Sequence, residues 1–333
     1  MIKKLIIFGA GSIGNHYANA AKKLGLDVEV FDTSEAALLR MKKQIYPERY
    51  GKWDDSIKLL NYKPELFSEN DLVLIGTPPE HRIRILEENL RKGAKNFLIE
   101  KPFSTPGSIA LDLFKKEIAE GVNFFSGYNH TNSKVYDSFI KDIKKSNLGP
   151  LKNCHVNWRE SWDGILKAHF WMNSIYESYL GYSERGGGAM SEHSHGINLG
   201  ISIIEEFDEI TTLKDVNFEY DSDKKNYDKY FNSKIEAKNS FLIVTQDTIS
   251  KPTRKEADLN FKNGKAKIIF GSDSDKYFVE SPAVKIEENF KKERADDFIY
   301  NLKVITKGNS DLITKFNCGS KTQEIIDKAW KFF

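Results

Sequence analysis

Gly9, Gly11 and Gly14 stand in a G-x-G-x-x-G arrangement completed by Ala10, Ser12 and Ile13. Three glycines so spaced are weak evidence by themselves. Here they directly follow the apolar run Leu5-Ile6-Ile7-Phe8 and open a segment in which Ile13, Tyr17, Ala20 and Leu24 share one helical face. In that setting the first glycine permits a tight turn and the second lets backbone approach a pyrophosphate. The third lets the helix pack closely on the strand. Ser12 and Ile13 then lie in the first turn of a helix whose amino terminus faces the phosphates. Asp32 ends the second apolar run, Val28-Glu29-Val30-Phe31. A carboxylate there accepts hydrogen bonds from the adenosine ribose hydroxyls and repels a 2′-phosphate. Thr33 and Ser34 follow it, with no arginine. The expected ligand is a dinucleotide, NAD in preference to NADP.

Such a turn needs a parallel sheet to hold it. Apolar runs at Leu5–Phe8, Val28–Phe31, Leu72–Ile75, Asn96–Ile99 and Asn123–Phe125 alternate with helical patterns. Runs without polar alternation belong to strands covered on both faces, so residues 1–126 predict an α/β Rossmann domain with a doubly wound parallel sheet. Beyond about residue 150 the strand-like segments lengthen and alternate, as in Lys152 to Arg159 and Ser240 to Thr245. Asn263-Gly264 between Ala257–Phe261 and Ala266–Phe270 signals a hairpin. Residues 127–333 therefore predict an α+β domain with a mostly antiparallel open sheet. The polar, tyrosine-rich stretch from Asp221 to Lys234 reads as a loop or exposed edge. A last helix near Thr322 to Phe333 is expected to pack back on the body.

A chain of 333 residues with 40% hydrophobic content can bury two cores. Its 50 basic and 48 acidic residues leave a net charge of +2, too little field to attract nucleic acid or an anionic membrane. The amino-terminal apolar run stops at Gly9, and no stretch approaches the roughly 20 apolar residues that span a bilayer. Cys154 and Cys318 lie far apart and read as reduced thiols, so a soluble cytoplasmic protein is expected. His193 and His195 lack a matching carboxylate–histidine set, and no metal is expected.

Further motifs occur in a telling order. Thr77-Pro78-Pro79-x-His81 follows one apolar run, Glu100-Lys101-Pro102 the next, and Gly127-Tyr128-Asn129-His130 closes the first domain. Gly186-Gly187-Gly188 then leads into Glu192-x-Ser194-His195. Over most of its length the chain resembles the Gfo/Idh/MocA oxidoreductase family, whose members pair a Rossmann domain with an open-sheet substrate domain. The resemblance implies cofactor contacts from Thr77, Pro78, His81, Glu100, Lys101 and Asn129. It implies that Lys101 touches substrate and nicotinamide ribose and helps in proton transfer. Its place at the carboxyl end of a strand is where open α/β sheets set reactive groups. Glu100 is then an orienting or charge-pairing group, and Pro102 fixes the turn after a cis peptide bond.

His195 matches the family's general base, and imidazole suits removal of a hydroxyl proton near neutral pH. Most of the family carries Asp where this chain has Glu192, which either shares the base role or orients His195. A subset of sugar enzymes linked to surface-polysaccharide pathways has the serine–histidine form and is similar to this chain. That likeness places Tyr128, Trp171, Tyr176 and Arg185 with Lys101 and His195 among the substrate contacts. Arg185 can clamp a carboxylate or phosphate bidentately.

The expected activity is NAD-dependent hydride transfer between nicotinamide and a carbon of a sugar, sugar acid or nucleotide sugar. The expected partners are that small carbohydrate and further copies of the chain, as a homodimer or homotetramer. One alternative is a glycoside hydrolase or lyase that retains its NAD. Another is a sensor that binds nucleotide and sugar without turnover, disfavoured because a binder needs no proton-transfer pair.

Overall fold

The computed structural model describes residues 1–308 and 311–333. The chain divides into two compact units. The first comprises residues 1–103, 109–129 and 295–316, and the second residues 104–108, 130–294 and 317–333.

In the first unit lie β1 (Lys4–Phe8), α1 (Ser12–Lys23), β2 (Asp27–Phe31), α2 (Glu35–Arg40), α3 (Tyr46–Tyr50), β3 (Lys58–Leu60), β4 (Asp71–Ile75), α4 (Pro79–Arg91), β5 (Asn96–Ile99), α5 (Ala110–Ala119) and β6 (Asn123–Ser126). The six strands are parallel in the order β3-β2-β1-β4-β5-β6. Side chains alternate across the sheet. Leu5, Ile7, Leu72 and Leu74 join one core with Tyr17 of α1, while Ile6, Phe8, Val73 and Ile75 join another with Phe114 of α5. Each fully buried Leu or Ile contributes about 1.5–3 kcal/mol, which explains why these runs carry no polar residue. Strand order reverses between β1 and β4, leaving a crevice beyond their carboxyl ends.

In the second unit lie α6 (Lys134–Lys145), β7 (Leu151–Arg159), α7 (Trp162–Ala168), α8 (Gly188–Glu192), α9 (His195–Phe207), β8 (Ile210–Tyr220), β9 (Asp228–Ala237), β10 (Phe241–Asp247), β11 (Arg254–Phe261), β12 (Gly264–Phe270), β13 (Ser274–Glu280) and β14 (Lys285–Lys291). They form an eight-stranded sheet ordered β14-β13-β12-β11-β7-β10-β9-β8, antiparallel except for the β7–β10 pair. Buried residues of α6 and α9 pack with those of the sheet in one core. The Asn263-Gly264 signal falls at the β11–β12 hairpin.

Two expectations change. The stretch from Asp221 to Lys234 is a loop only in its first part. Asp228 onward enters β9, an interior strand hydrogen-bonded to both β8 and β10. Its alternating burial, with Phe231 and Ile235 inward, was masked by polar neighbours such as Tyr230 and Lys234 on the other face. After α10 (Asp296–Lys307), the last helix, α11, runs from Leu312 to Trp330, longer than its periodicity suggests. α10 returns to the first unit, where Phe298 meets Tyr17 edge-on at 5.0 Å and Asn301 donates to the Tyr17 hydroxyl at 3.0 Å. Among the described residues no helix is long and apolar enough to cross a membrane.

Candidate active site

In the first unit the glycine turn lies where strand order reverses. Gly9 has φ +112, open to glycine, and a Cβ there would lie 3.1 Å from the Gly76 backbone. A Cβ on Gly14 would lie 2.0 Å from the Gly9 carbonyl oxygen, so only glycine lets α1 sit this close to the turn. At Gly11 a Cβ would meet nothing within 4 Å, so the turn is open there, which leaves room for a phosphate at the amino terminus of α1. Ser12 starts α1 with its hydroxyl accepting from Arg49 at 2.8 Å, and Ile13 packs against the core. Asp32 is clipped to the turn: one carboxylate oxygen accepts from the Ala10 amide and the other from the Ser34 amide, both at 2.8 Å. The remaining lone pairs suit ribose hydroxyls.

A cavity of about 250 Å³ adjoins this turn, lined by Phe31, Asp32, Thr77 and His81 together with Lys63, Arg84 and Glu88. Thr77 Oγ1 is buried with no hydrogen-bond partner among the described residues, as expected of an atom that pairs with a ligand. Pro78 caps α4, which carries His81, Arg84 and Glu88. These features fit a dinucleotide.

Further along the sheet the ends of β4, β5 and β6 are laced together. Glu100 donates its amide to Ile75, and Gly127 donates to Ile99 at 2.8 Å. That sets the loops bearing Thr77, Glu100 and Asn129 side by side. The buried Arg82 is their strut, donating to the carbonyls of Thr77 (2.8 Å), Glu100 (2.5 Å) and Pro102. The Lys101–Pro102 peptide is cis, and the Lys101 amide donates to the Glu100 carboxylate at 3.0 Å. Lys101 itself is partly exposed, whereas Glu100 is buried. Burial and then the Glu100 charge push the Tyr17 phenol well above its ordinary value. Tyr128 lies in the core beside Phe103, with 1% of its surface exposed.

In the second unit His195 opens α9 against the central strand. A Cβ on Gly196 would lie 2.7 Å from Trp158 Cβ, so this glycine sets how closely α9 approaches β7. The His195 ring stacks on Trp158 at 5.4 Å between centroids, and His130 meets it edge-on at 4.6 Å. His130 in turn lies edge-on to Trp158 and Phe270. His193 points elsewhere: buried, it reaches the Glu160 carbonyl at 3.0 Å, and burial holds it below the usual imidazole value. Glu192 accepts from the Tyr179 hydroxyl at 2.9 Å.

Two buried groups hold this segment. Gln246 donates to the Ala189 and Met190 carbonyls and accepts from the Ile197 amide at 3.0 Å, bridging α8 to α9. Asp228 lies under Gly188 (φ +77), whose Cβ would sit 2.0 Å from its carboxylate. It accepts from Ser183 Oγ and the Met190 amide, both at 2.7 Å.

The other expected substrate residues fall into separate groups. Tyr176 donates to Asp221 at 3.0 Å and lies edge-on to Tyr182, whose ring also carries the Arg185 guanidinium at 5.4 Å. Burial and the Asp221 carboxylate push the Tyr176 phenol up to about 12. Trp171 packs instead with His169 and Phe170.

Sequence reasoning missed Arg82, Glu88, Trp158, Asp228 and Gln246. Each acts through a partner distant in sequence. Only His130, which closes a quoted motif, carried a signal.

Parallel sheet, glycine turn and clipped aspartate define a Rossmann-like α/β unit, followed by a second unit with a mostly antiparallel sheet. No protein-family profile matches this chain, and no curated protein matches it in sequence. Solved structures do match in fold. A 3-ketoreductase from Actinomadura kijaniata, KijD10, solved in complex with NADP and TDP-benzene, superposes with a TM-score of 0.74 at 10% identity, covering 99% of this chain and 98% of that one. A putative oxidoreductase from Thermotoga maritima gives 0.72 at 14% identity, covering 98% and 96%. The dehydrogenase MviM from Clostridium difficile gives 0.68 at 12%, covering 99% of both.

Proposed function

We propose that the chain is an NAD-dependent oxidoreductase of the Gfo/Idh/MocA type. On this reading hydride passes between nicotinamide and a carbon of a sugar, sugar acid or nucleotide sugar. The observation that carries it is the turn at Gly9, Gly11 and Gly14 with Asp32 clipped to the Ala10 amide. Asp32, with Thr33 and Ser34 after it, favours NAD over NADP. Bound NAD supplies the hydride acceptor. The chain's own residues do the rest: Lys101 and His195 handle the hydroxyl proton, and Glu192, held by Tyr179, orients that chemistry. Support for a sugar comes from the motif resemblance, and support for a nucleotide-linked substrate from a fold neighbour, a 3-ketoreductase solved with NADP and TDP-benzene. The first unit holds the dinucleotide, and the second binds substrate and associates into a homodimer or homotetramer, a size that sedimentation velocity reads directly. The setting is cytoplasmic, in keeping with two free, buried cysteines.

The test follows NADH absorbance while the chain meets NAD and a panel of sugars, sugar acids and nucleotide sugars, with Lys101→Ala alongside. Turnover with one group of substrates, lost in the variant, supports the proposal. Unchanged NADH with the panel sugars cleaved moves the reading to an enzyme that retains its NAD.

A further inference from the structure

Glu88 lies on α4 one turn beyond Arg84, on the helix face that also presents His81 and Ile85 to the cavity beside Asp32. Its carboxylate takes Lys63 Nζ at 2.7 Å and Arg84 Nη1 at 3.7 Å. Lys63 arrives from the loop after β3, far from α4 in sequence, and both cations line the same cavity. The hydrogen bond from Lys63, with the charge of Arg84 added, holds the Glu88 carboxyl below the usual carboxylate range, so the group is ionised at neutral pH. The four charged residues Asp32, Glu88, Lys63 and Arg84 thus balance to zero in the lining of this cavity.

We propose that Glu88 is a specificity-determining residue for the cofactor: it occupies the two cations that would otherwise bind a ribose 2′-phosphate. The inference rests on the dinucleotide reading given above and adds its discriminating residue. A phosphate doubly charged at neutral pH would meet the Asp32 carboxylate while Lys63 and Arg84 remain committed to Glu88. A free 2′-hydroxyl carries no charge and needs only the acceptor Asp32 provides. Removing the Glu88 charge leaves a net positive lining and frees a guanidinium and an ammonium, both strong phosphate partners.

The experiment titrates NAD, NADP, 5′-AMP and 2′,5′-ADP into the full chain and into Glu88→Gln by isothermal calorimetry. The expected result is about tenfold tighter binding of NADP and 2′,5′-ADP by the variant, with NAD and 5′-AMP moving less than about threefold. The gain shrinks as salt is raised, and adding Lys63→Met to Glu88→Gln reverses it. An unchanged ratio between phosphorylated and unphosphorylated ligands overturns the role of Glu88 and leaves the cofactor reading intact. Wild-type protein that binds neither NAD nor 5′-AMP overturns the cofactor reading and this inference together. Wild-type protein that already prefers NADP overturns the inference.

Discussion

Replacing Asp228 by Asn isolates a pH dependence built into the glycine turn of the second unit. The carboxyl is wholly buried beneath Gly188, and burial raises it to about 7 although Ser183 and the Met190 amide favour the charged form. Its reference value is 3.8, so the folded chain holds this proton more tightly than the unfolded chain. The stabilisation is therefore complete below the unfolded value and is lost as pH rises through about 7. Between about pH 5 and pH 7 the linkage removes about 2 kcal/mol from the wild type. Asn keeps the shape, accepts from the Met190 amide, donates to Ser183 and does not ionise. Urea unfolding of both proteins, followed by tryptophan emission at several pH values, gives the difference directly. Wild-type stability should fall relative to the variant by that amount across the interval. Curves that stay parallel within about 0.5 kcal/mol would falsify the claim that burial outweighs the hydrogen bonds.

Three more outcomes follow from close contacts. Gly14→Ala sets a methyl 2.0 Å from the Gly9 carbonyl oxygen, so it should displace α1, cost about 1–3 kcal/mol in thermal unfolding and weaken NAD at least about tenfold. A variant that binds NAD normally would show that the turn does not approach the ligand. Arg82→Met strands the Thr77, Glu100 and Pro102 carbonyls that the guanidinium now satisfies, for a loss of about 3 kcal/mol, and Arg82→Lys should recover only part of it. Equal melting temperatures for Arg82→Met and wild type would remove Arg82 as the strut. Gln246→Leu cuts the bridge between α8 and α9 and should lower unfolding stability by about 2–3 kcal/mol, read by urea midpoint; an unchanged midpoint refutes it.

The sequence by itself determined whatever depends on neighbours along the chain. The run Leu5–Phe8, the glycine turn and the Tyr17 face of α1 are legible because strand, turn and helix each leave a local period. Asn263-Gly264 marks its hairpin too, although the connecting residues are Lys262 and Asn263 and Gly264 opens β12, where a Cβ would lie 2.3 Å from the Glu280 carbonyl oxygen. Asp32 stands out because the strand that ends just before it delivers it to the turn. Only the tertiary structure decided which distant residues meet. α10 carries no local sign that Asn301 will reach Tyr17, and Lys63 carries none that it will face Glu88 across the cavity. Trp158 reads as an ordinary apolar position in β7 until α9, cut back to glycine at Gly196, lays His195 on its ring. Asp228 looked like part of a polar loop because its burial comes from Gly188 and Met190 folding over it, not from hydrophobic neighbours in its own segment. Periodicity records which face of an element is covered; it holds no record of what covers it, because packing partners are chosen by shape and charge across the fold.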